Sequence, residues 1–342
     1  MRVTIKDIAA AAGVSVATAS LAINDKRGVN PATRARVKAI AQELGYRPNT
    51  LARGLVMQHT HVIGILISDI TNPHFANIIR GIEDTITPHG YHAIICESHD
   101  DNPEIELYAL QWLEASRVDG IIVASVSGDP KTHQLLKHLQ SNGLPIVLVG
   151  RHYIRGEFDT VLVANEESTC TAVAHLIEHG HRRIGIICGP PDVPAAQERL
   201  AGYKLALAQN NLPFDERLVR IGHWQVEDGL TCAYSLLREQ NPPTAIFAAN
   251  NMMALGAYKA IRSEKLHIPN HLALAAFDDA VWATAFDPPL TVVAQPSYEL
   301  GQVGAQQLLS RLPGGKRVDT TEYMCEVLLP QFVVRNSCGC RV

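Results

Sequence analysis

From residue 61 onward the chain repeats one unit: a short unbroken apolar run, a loop, then an amphipathic helix. The runs are VIGILI (62–67), HAIIC (92–96), GIIVA (120–124), PIVLV (145–149), TVLV (160–163), RIGIIC (183–188), AIFAA (245–249), HLALAAF (271–277) and LTVVAQ (290–295). Runs of this length with no polar alternation fit strands buried on both faces of a parallel sheet. NPHFANIIRGIEDTITPHG (72–90) and AAQERLAGYKLALAQNN (195–211) supply crossover helices of matching length. The strand–loop–helix order begins once at 62 and again at 183, which predicts two similar α/β lobes with a cleft where the strand C-terminal ends face each other. Neither lobe carries a glycine-rich dinucleotide fingerprint or a P-loop, so nucleotide cofactor chemistry is not indicated. GIICGPP (185–191) reads as a strand end and a turn.

The first 60 residues obey a different grammar. Thr4 with Asp7 resembles a capping box opening a helix to about Ala12, and Gly13 makes a turn. Ser15 caps a second helix, with Thr18 at its third position. Asn30 caps a third, with Pro31 in its first turn and Gly45 as its stop. After Pro48, Asn49 caps one short final helix. This stretch holds nine Lys/Arg against three acids, or +6, whereas the whole 342-residue chain carries −4, leaving −10 on the remainder. A basic helical head on an acidic body suits contact with a polyanion, and equally suits a solvated charged surface.

Other classes are weighed against these features. Residues 1–23 imitate a signal peptide, but Asp7, the alanine-rich composition and Gly13, Ser15, Thr18 and Ser20 interrupt the pattern. No apolar run approaches the ~18 residues of a membrane span, so no membrane partner is expected. Seven cysteines (96, 170, 188, 232, 325, 338, 340) are odd in number and scattered. They favour a reducing compartment over a disulfide framework. The terminal SCGC (337–340) has no second Cys or His cluster near it in sequence and reads as a tail, so no metal site is assigned. HGHRR (179–183) reads as a solvated loop, and no nucleophile–base motif points to an enzyme.

The chain resembles the LacI/GalR family of bacterial transcriptional regulators over nearly its whole length. The motifs are TIKDIAAAAGVSVATAS (4–20), VNPATRARVKAIAQELGYRPNTLARGL (29–55), GHRRIGIICGP (180–190), QERLAGY (197–203), ANNMMALGA (249–257) and AAFDDAVWATAFDPPLTVVAQP (275–296), in the family's order and spacing. The resemblance implies an all-α helix-turn-helix head (1–45), a hinge helix and linker (46–60), and a two-lobed α/β core (61–342) like the periplasmic binding proteins. The core has parallel sheets with helices on both faces. Its first lobe is expected at about 61–161 plus 291–322, and its second at about 162–290 plus 323–342.

Carried over by position, the resemblance makes residues 15–24 the recognition helix, with Val16, Ala17 and Leu21 at base-contact positions. Thr4, Ser15, Thr18, Ser20, Asn24, Asn30 and Thr33 match positions that meet phosphates or neighbouring bases, as short hydroxyls and amides can. Tyr46, Asn49 and Ala52 match hinge positions near DNA, and Leu55 the residue that wedges into the minor groove. Many members have Arg where Leu21 stands, which would bind guanine bidentately; Leu offers only apolar contact, as to a thymine methyl.

Effector-binding positions fall on Asp69, Asn72, Phe75, Arg151, Arg199, Trp224, Asn250 and Asp278. Carboxylates, amides, a guanidinium and aromatics together suit a sugar-like ligand. Asp69 and Asn72 equally suit helix capping, and Phe75 and Trp224 plain core. The doublet Asp278–Asp279 at a strand end is expected to aim one carboxylate into the cleft. Gly150, Asn251 and Ala164 stand where the family commonly has Asp. The expected function is a ligand-responsive repressor that binds a palindromic DNA operator as a homodimer or tetramer. It would work in the cytoplasm at the nucleoid with no cofactor and a small-molecule effector, a sugar or sugar derivative ahead of a purine or another small metabolite. The rival readings are an exported sugar-binding protein and, more distantly, a sugar hydrolase.

Overall fold

The computed structural model describes residues 3–46, 59–99, 102–124, 127–150, 156–313 and 322–340. They separate into two compact units, residues 1–60 and 61–342. In the first, helices α1 (Ile5–Ala12), α2 (Val16–Ile23) and α3 (Pro31–Glu43) close on a small core of Ile8, Ala9, Ala12, Ala19, Ala22 and Val37. The turn at Gly13, in the left-handed region at φ 62°, sets α1 and α2 at 103° to each other. That is the geometry of a helix-turn-helix, built from the residues that imitate a signal peptide. The short helix expected after Asn49 lies outside the described residues.

In the second unit each of the nine apolar runs is a strand. The first six-stranded sheet runs β11-β5-β4-β3-β1-β2, using β1 (Val62–Ile67), β2 (His92–Glu97), β3 (Gly120–Val123), β4 (Ile146–Val149), β5 (Asp159–Val163) and β11 (Cys325–Leu328). The second runs β12-β10-β9-β8-β6-β7, using β6 (Ile184–Cys188), β7 (Val219–Ile221), β8 (Ala245–Ala248), β9 (Ala273–Phe277), β10 (Thr291–Ala294) and β12 (Gln331–Val333). All pairings are parallel except β10 with β12. The central strands are fully buried, as unbroken apolar runs require.

The crossover helices are α4 (Pro73–Ile86), α5 (Pro103–Ala115), α6 (Pro130–Ser141), α7 (Asn165–Glu178), α8 (Pro194–Gln209), α9 (Val226–Leu237), α10 (Asn251–Ser263) and α11 (Ser297–Arg311). Helices α4 and α11 press backbone to backbone: a Cβ on Gly81 would sit 2.1 Å from the Tyr298 carbonyl oxygen, and one on Gly301 2.1 Å from that of Ile78. Only glycine permits so close a crossing.

The lobe boundaries depart from the expected ones in two places. Strand β10 (291–294) hydrogen-bonds with β9 and belongs to the second lobe; the chain returns to the first only with α11. Strand β11 (325–328) then pairs with β5 in the first lobe before β12 crosses back. Among the described residues, three connections, after β5, β10 and β11, therefore join the lobes.

Candidate functional site

In the head, α2 turns Ala19 and Ala22 inward with no exposed surface, so its outward face starts with the exposed Ser15, Val16 and Ala17. Val16 is 44% exposed although it is apolar. Thr18, Ser20, Leu21 and Asn24 are half-buried, and Leu21 leans toward Gly28 across the following turn. The short polar groups also build the helices. Ser15 Oγ accepts from the Thr18 amide at 3.0 Å, and Asn30 Oδ1 from the Thr33 amide at 2.7 Å. The Thr4 amide and hydroxyl both donate to Asp7 at 2.8 Å, which holds that carboxyl below its usual range. Asn24 Nδ2 donates to the Ser20 carbonyl at 2.9 Å. Tyr46 packs on the head core, its amide donating to the Ala41 carbonyl at 2.8 Å. Asn49, Ala52 and Leu55 lie outside the described residues.

In the core, Asp69, Asn72 and Phe75 from the first lobe meet Arg199, Trp224 and Asn250 from the second around one cavity. It encloses about 620 Å³ including its open mouth and the solvent in it. Gly150 lines it as well, and so do Ser68, His74, Gln225 and Gln295, which the sequence reading does not name as effector positions. Gln295 and Asn250 share a sequence signal, each being the first polar residue at the end of an apolar run.

Several of the expected ligands also serve the fold. Asn72 caps α4 through the His74 amide (3.0 Å), Asp69 Oδ1 accepts from the Thr71 amide (2.7 Å), and Asn250 caps α10 through the Met253 amide (2.9 Å). Asn250 Nδ2 also donates to the Trp224 carbonyl at 3.0 Å. Arg199 is 6% exposed, its guanidinium carbon 3.8 Å above the Phe277 ring and 5.9 Å from the centre of Trp224. Its Nε donates to Asn165 Oδ1 at 2.9 Å and its Nη1 to the Ala249 carbonyl. Asn165 in turn donates to Glu198, so Glu198 orients the amide that orients the arginine.

Trp224 closes one wall. Its φ is +70°, and its ring lies so flat on Gly189 that a Cβ there would come within 2.0 Å of it. The indole Nε1 is buried with no hydrogen-bond partner among the described residues. A buried orphan donor at a cleft wall is an uncommon and costly feature, and a ligand oxygen would satisfy it. Asn251 Nδ2 donates to Asn72 Oδ1 at 2.9 Å, a direct and buried bond between the lobes.

Asp278 is not among the residues lining the cavity: its carboxylate accepts from Gln295 Nε2 and from the Asn251 amide, at 3.4 Å for the latter. Asp279 points the other way and pairs with Arg335 at 2.6 Å. Asp278 has a left-handed φ of 73°, and Gln295, which donates to its carboxylate, lines the cavity in its place. Arg151 lies outside the described residues. Burial pushes the nearby Cys188 thiol up to about 11, with the Gly189 backbone opposing, so it stays protonated.

A helix-turn-helix head joined to a two-lobed α/β core with a polar, aromatic-walled cleft defines a ligand-binding DNA regulator. Residues 4–49 match the family model described as bacterial regulatory proteins, lacI family, and residues 173–338 that of a periplasmic binding protein-like domain. The chain is 35% identical over 322 residues to catabolite control protein A of Priestia megaterium, covering 94% of this chain and 96% of that one. It is 34% identical to the ribose operon repressor of Haemophilus influenzae, covering 98% of each. The lac repressor dimer bound to operator and the anti-inducer ONPF superimposes with a TM-score of 0.86 at 27% identity, covering 99% of each chain. A complex of the transcriptional regulator CelR with cellobiose gives 0.74 at 31% identity, covering 98% of this chain and 100% of that one. This chain belongs to the LacI family of bacterial transcriptional regulators, and is a DNA-binding regulator with an effector-binding core. Among the described residues, no single helix is long and apolar enough to cross a membrane.

Proposed function

We propose that this protein is a cytoplasmic repressor that binds a palindromic operator as a homodimer and takes a sugar or sugar derivative between its lobes. It works by binding and not by catalysis. The observation that carries the effector reading is the Trp224 wall: a flat aromatic face beside Arg199, with a buried indole N–H awaiting an acceptor. Apolar sugar faces stack on such a ring while their hydroxyls take the donors and acceptors around it. Asp69, Asn72, Ser68, Gln225 and Gln295 supply those groups; Phe75 and Asn250 shape the walls, Asp278 positions Gln295, and Arg151 carries its role from the family position alone. The names of the related ribose operon repressors and of the CelR–cellobiose complex support the same ligand class.

At the DNA, Val16, Ala17 and Leu21 contribute apolar contacts, Thr4, Ser15, Thr18, Ser20, Asn24, Asn30 and Thr33 position the phosphates, and Tyr46, Asn49, Ala52 and Leu55 act at the hinge. Without a long polar side chain on α2, the head reads each half-site thinly and leans on phosphate contacts, hinge wedging and half-site spacing. The test uses the full chain. Duplexes selected from a random pool are titrated with protein at several salt concentrations, with and without ribose, cellobiose, sugar acids or a purine nucleoside. The expected result is affinity falling steeply with salt, no strict guanine requirement beneath Leu21, and a sugar shifting affinity by about 5- to 150-fold. A response to the nucleoside alone would overturn the effector reading, and a strict guanine beneath Leu21 the readout one.

A further inference from the structure

We propose that the C-terminal Cys338–Gly339–Cys340 segment and the end of helix α7 form a binding site for a transition metal of the zinc class. In sequence these cysteines have no ligand partners nearby. The fold supplies them. His175 and His179 are four residues apart, on one face of the last turn of α7 and just past it. Cys340, His175 and His179 each present a ligand atom, and the three atoms lie within 4.8 Å of one another. Cys338 lies outside that trio but adjoins it, its Sγ 3.3 Å from His175 Nε2 and 2.7 Å from Cys340 Sγ, and is the fourth donor of the proposed site.

The donor set is two thiols and two imidazoles, the mixed sulfur–nitrogen set that selects tetrahedral zinc. The surroundings are those of prepared ligands. His179 Nδ1 sits 2.8 Å from the His175 carbonyl, which makes it the protonated nitrogen and leaves Nε2 with a free lone pair. Cys338 has no exposed surface and is held from behind by Thr291 Oγ1 at 3.2 Å. Gly339, at φ +90°, bends the chain so that both sulfurs fall on the side of α7. Zinc at its usual bond lengths would separate the sulfurs to about 3.7 Å. A small rotation of the half-buried Cys340 side chain provides that. On binding, each sulfur exchanges its proton for the metal, so one Zn²⁺ releases two protons to solvent while both imidazoles bind as neutral groups.

The placement gives the site a mechanical role. Helix α7 starts at Asn165, which holds Arg199 in the cleft, and ends at the proposed site. A bound metal would pin the segment after β12 to the far end of that helix. The test is made on the reduced full-length chain with Zn²⁺ alone and Co²⁺ alone. One equivalent of either ion should bind, Co²⁺ giving the intense bands of a tetrahedral thiolate complex, and Zn²⁺ should raise the melting temperature of the core. His179→Ala and Cys340→Ser, at exposed and half-buried positions, should fold with the metal-free melting temperature of the parent. Each should lose at least tenfold in Zn²⁺ affinity. The proposal is overturned if the reduced parent binds neither ion, if both variants bind as the parent does, or if Cys338 and Cys340 form a disulfide that the reductant leaves intact.

Discussion

Gly189→Ala is the sharpest perturbation of the effector site, because the change adds one carbon and touches no polar group. The new Cβ would lie 2.0 Å from the Trp224 ring, whereas carbon atoms rest at about 3.5–4.0 Å. The indole must therefore retreat by roughly 1.5 Å, into the space a ligand would use. Overpacking of this kind costs about 1–3 kcal/mol, and each kcal/mol lowers the melting temperature of a core this large by about 2–4 °C. Effector affinity should fall by an order of magnitude or more, since about 1.4 kcal/mol of lost contact is already tenfold. Gly128→Ala is the control: its Cβ would sit 3.4 Å from the Asp192 carbonyl, an ordinary contact. Both variants are compared by thermal unfolding and by calorimetric titration with the sugar that shifts the parent. Parent-like melting and affinity in Gly189→Ala would refute the assignment of Trp224 as a cleft wall.

Two further outcomes follow from local geometry. Ser15→Ala removes the cap at Thr18 and should destabilise the head by about 1 kcal/mol, weakening operator binding while effector binding to the core is unchanged; circular dichroism of the helices and a binding titration check both. Asp215 is held down to about 2 from the usual 3.8, first by the Arg217 side chain and then by the Arg217 backbone and Arg183. Its contribution to stability is therefore complete above about pH 4 and is lost as pH falls toward 2. In an acid-unfolding series, Asp215→Asn should lack that part of the pH dependence.

The strands were legible wherever burial on both faces wrote an unbroken apolar run, and the helix starts wherever a cap residue was chemically required, as at Ser15 and Asn30. Strands β7, β11 and β12 were not read from sequence: they are three or four residues long and sit at sheet edges, where β11 exposes three of its four residues. The sheet each strand joins was also hidden, because LTVVAQ looks the same in either lobe. The family positions place Asp69, Arg199 and Asn250 around the cleft, but side-chain direction is not available from position in the sequence. The Asp278–Asp279 doublet shows the limit. Its left-handed turn and the distant Arg335 decide where the carboxylates go. The histidine partners of Cys338 were similarly out of reach, being more than 150 residues away in the chain.

The three crossings between the lobes restrict what the core can report. A single tether would let one lobe swivel freely about the other. Three strands of backbone running side by side behave more like the leaves of a door hinge: they resist twisting and sliding and leave opening and closing as the soft coordinate. The buried Asn72–Asn251 bond, beside the crossing that follows β10, adds a side-chain tie on the hinge side. Whatever chemistry the ligand brings, the rest of the molecule receives it as one angle.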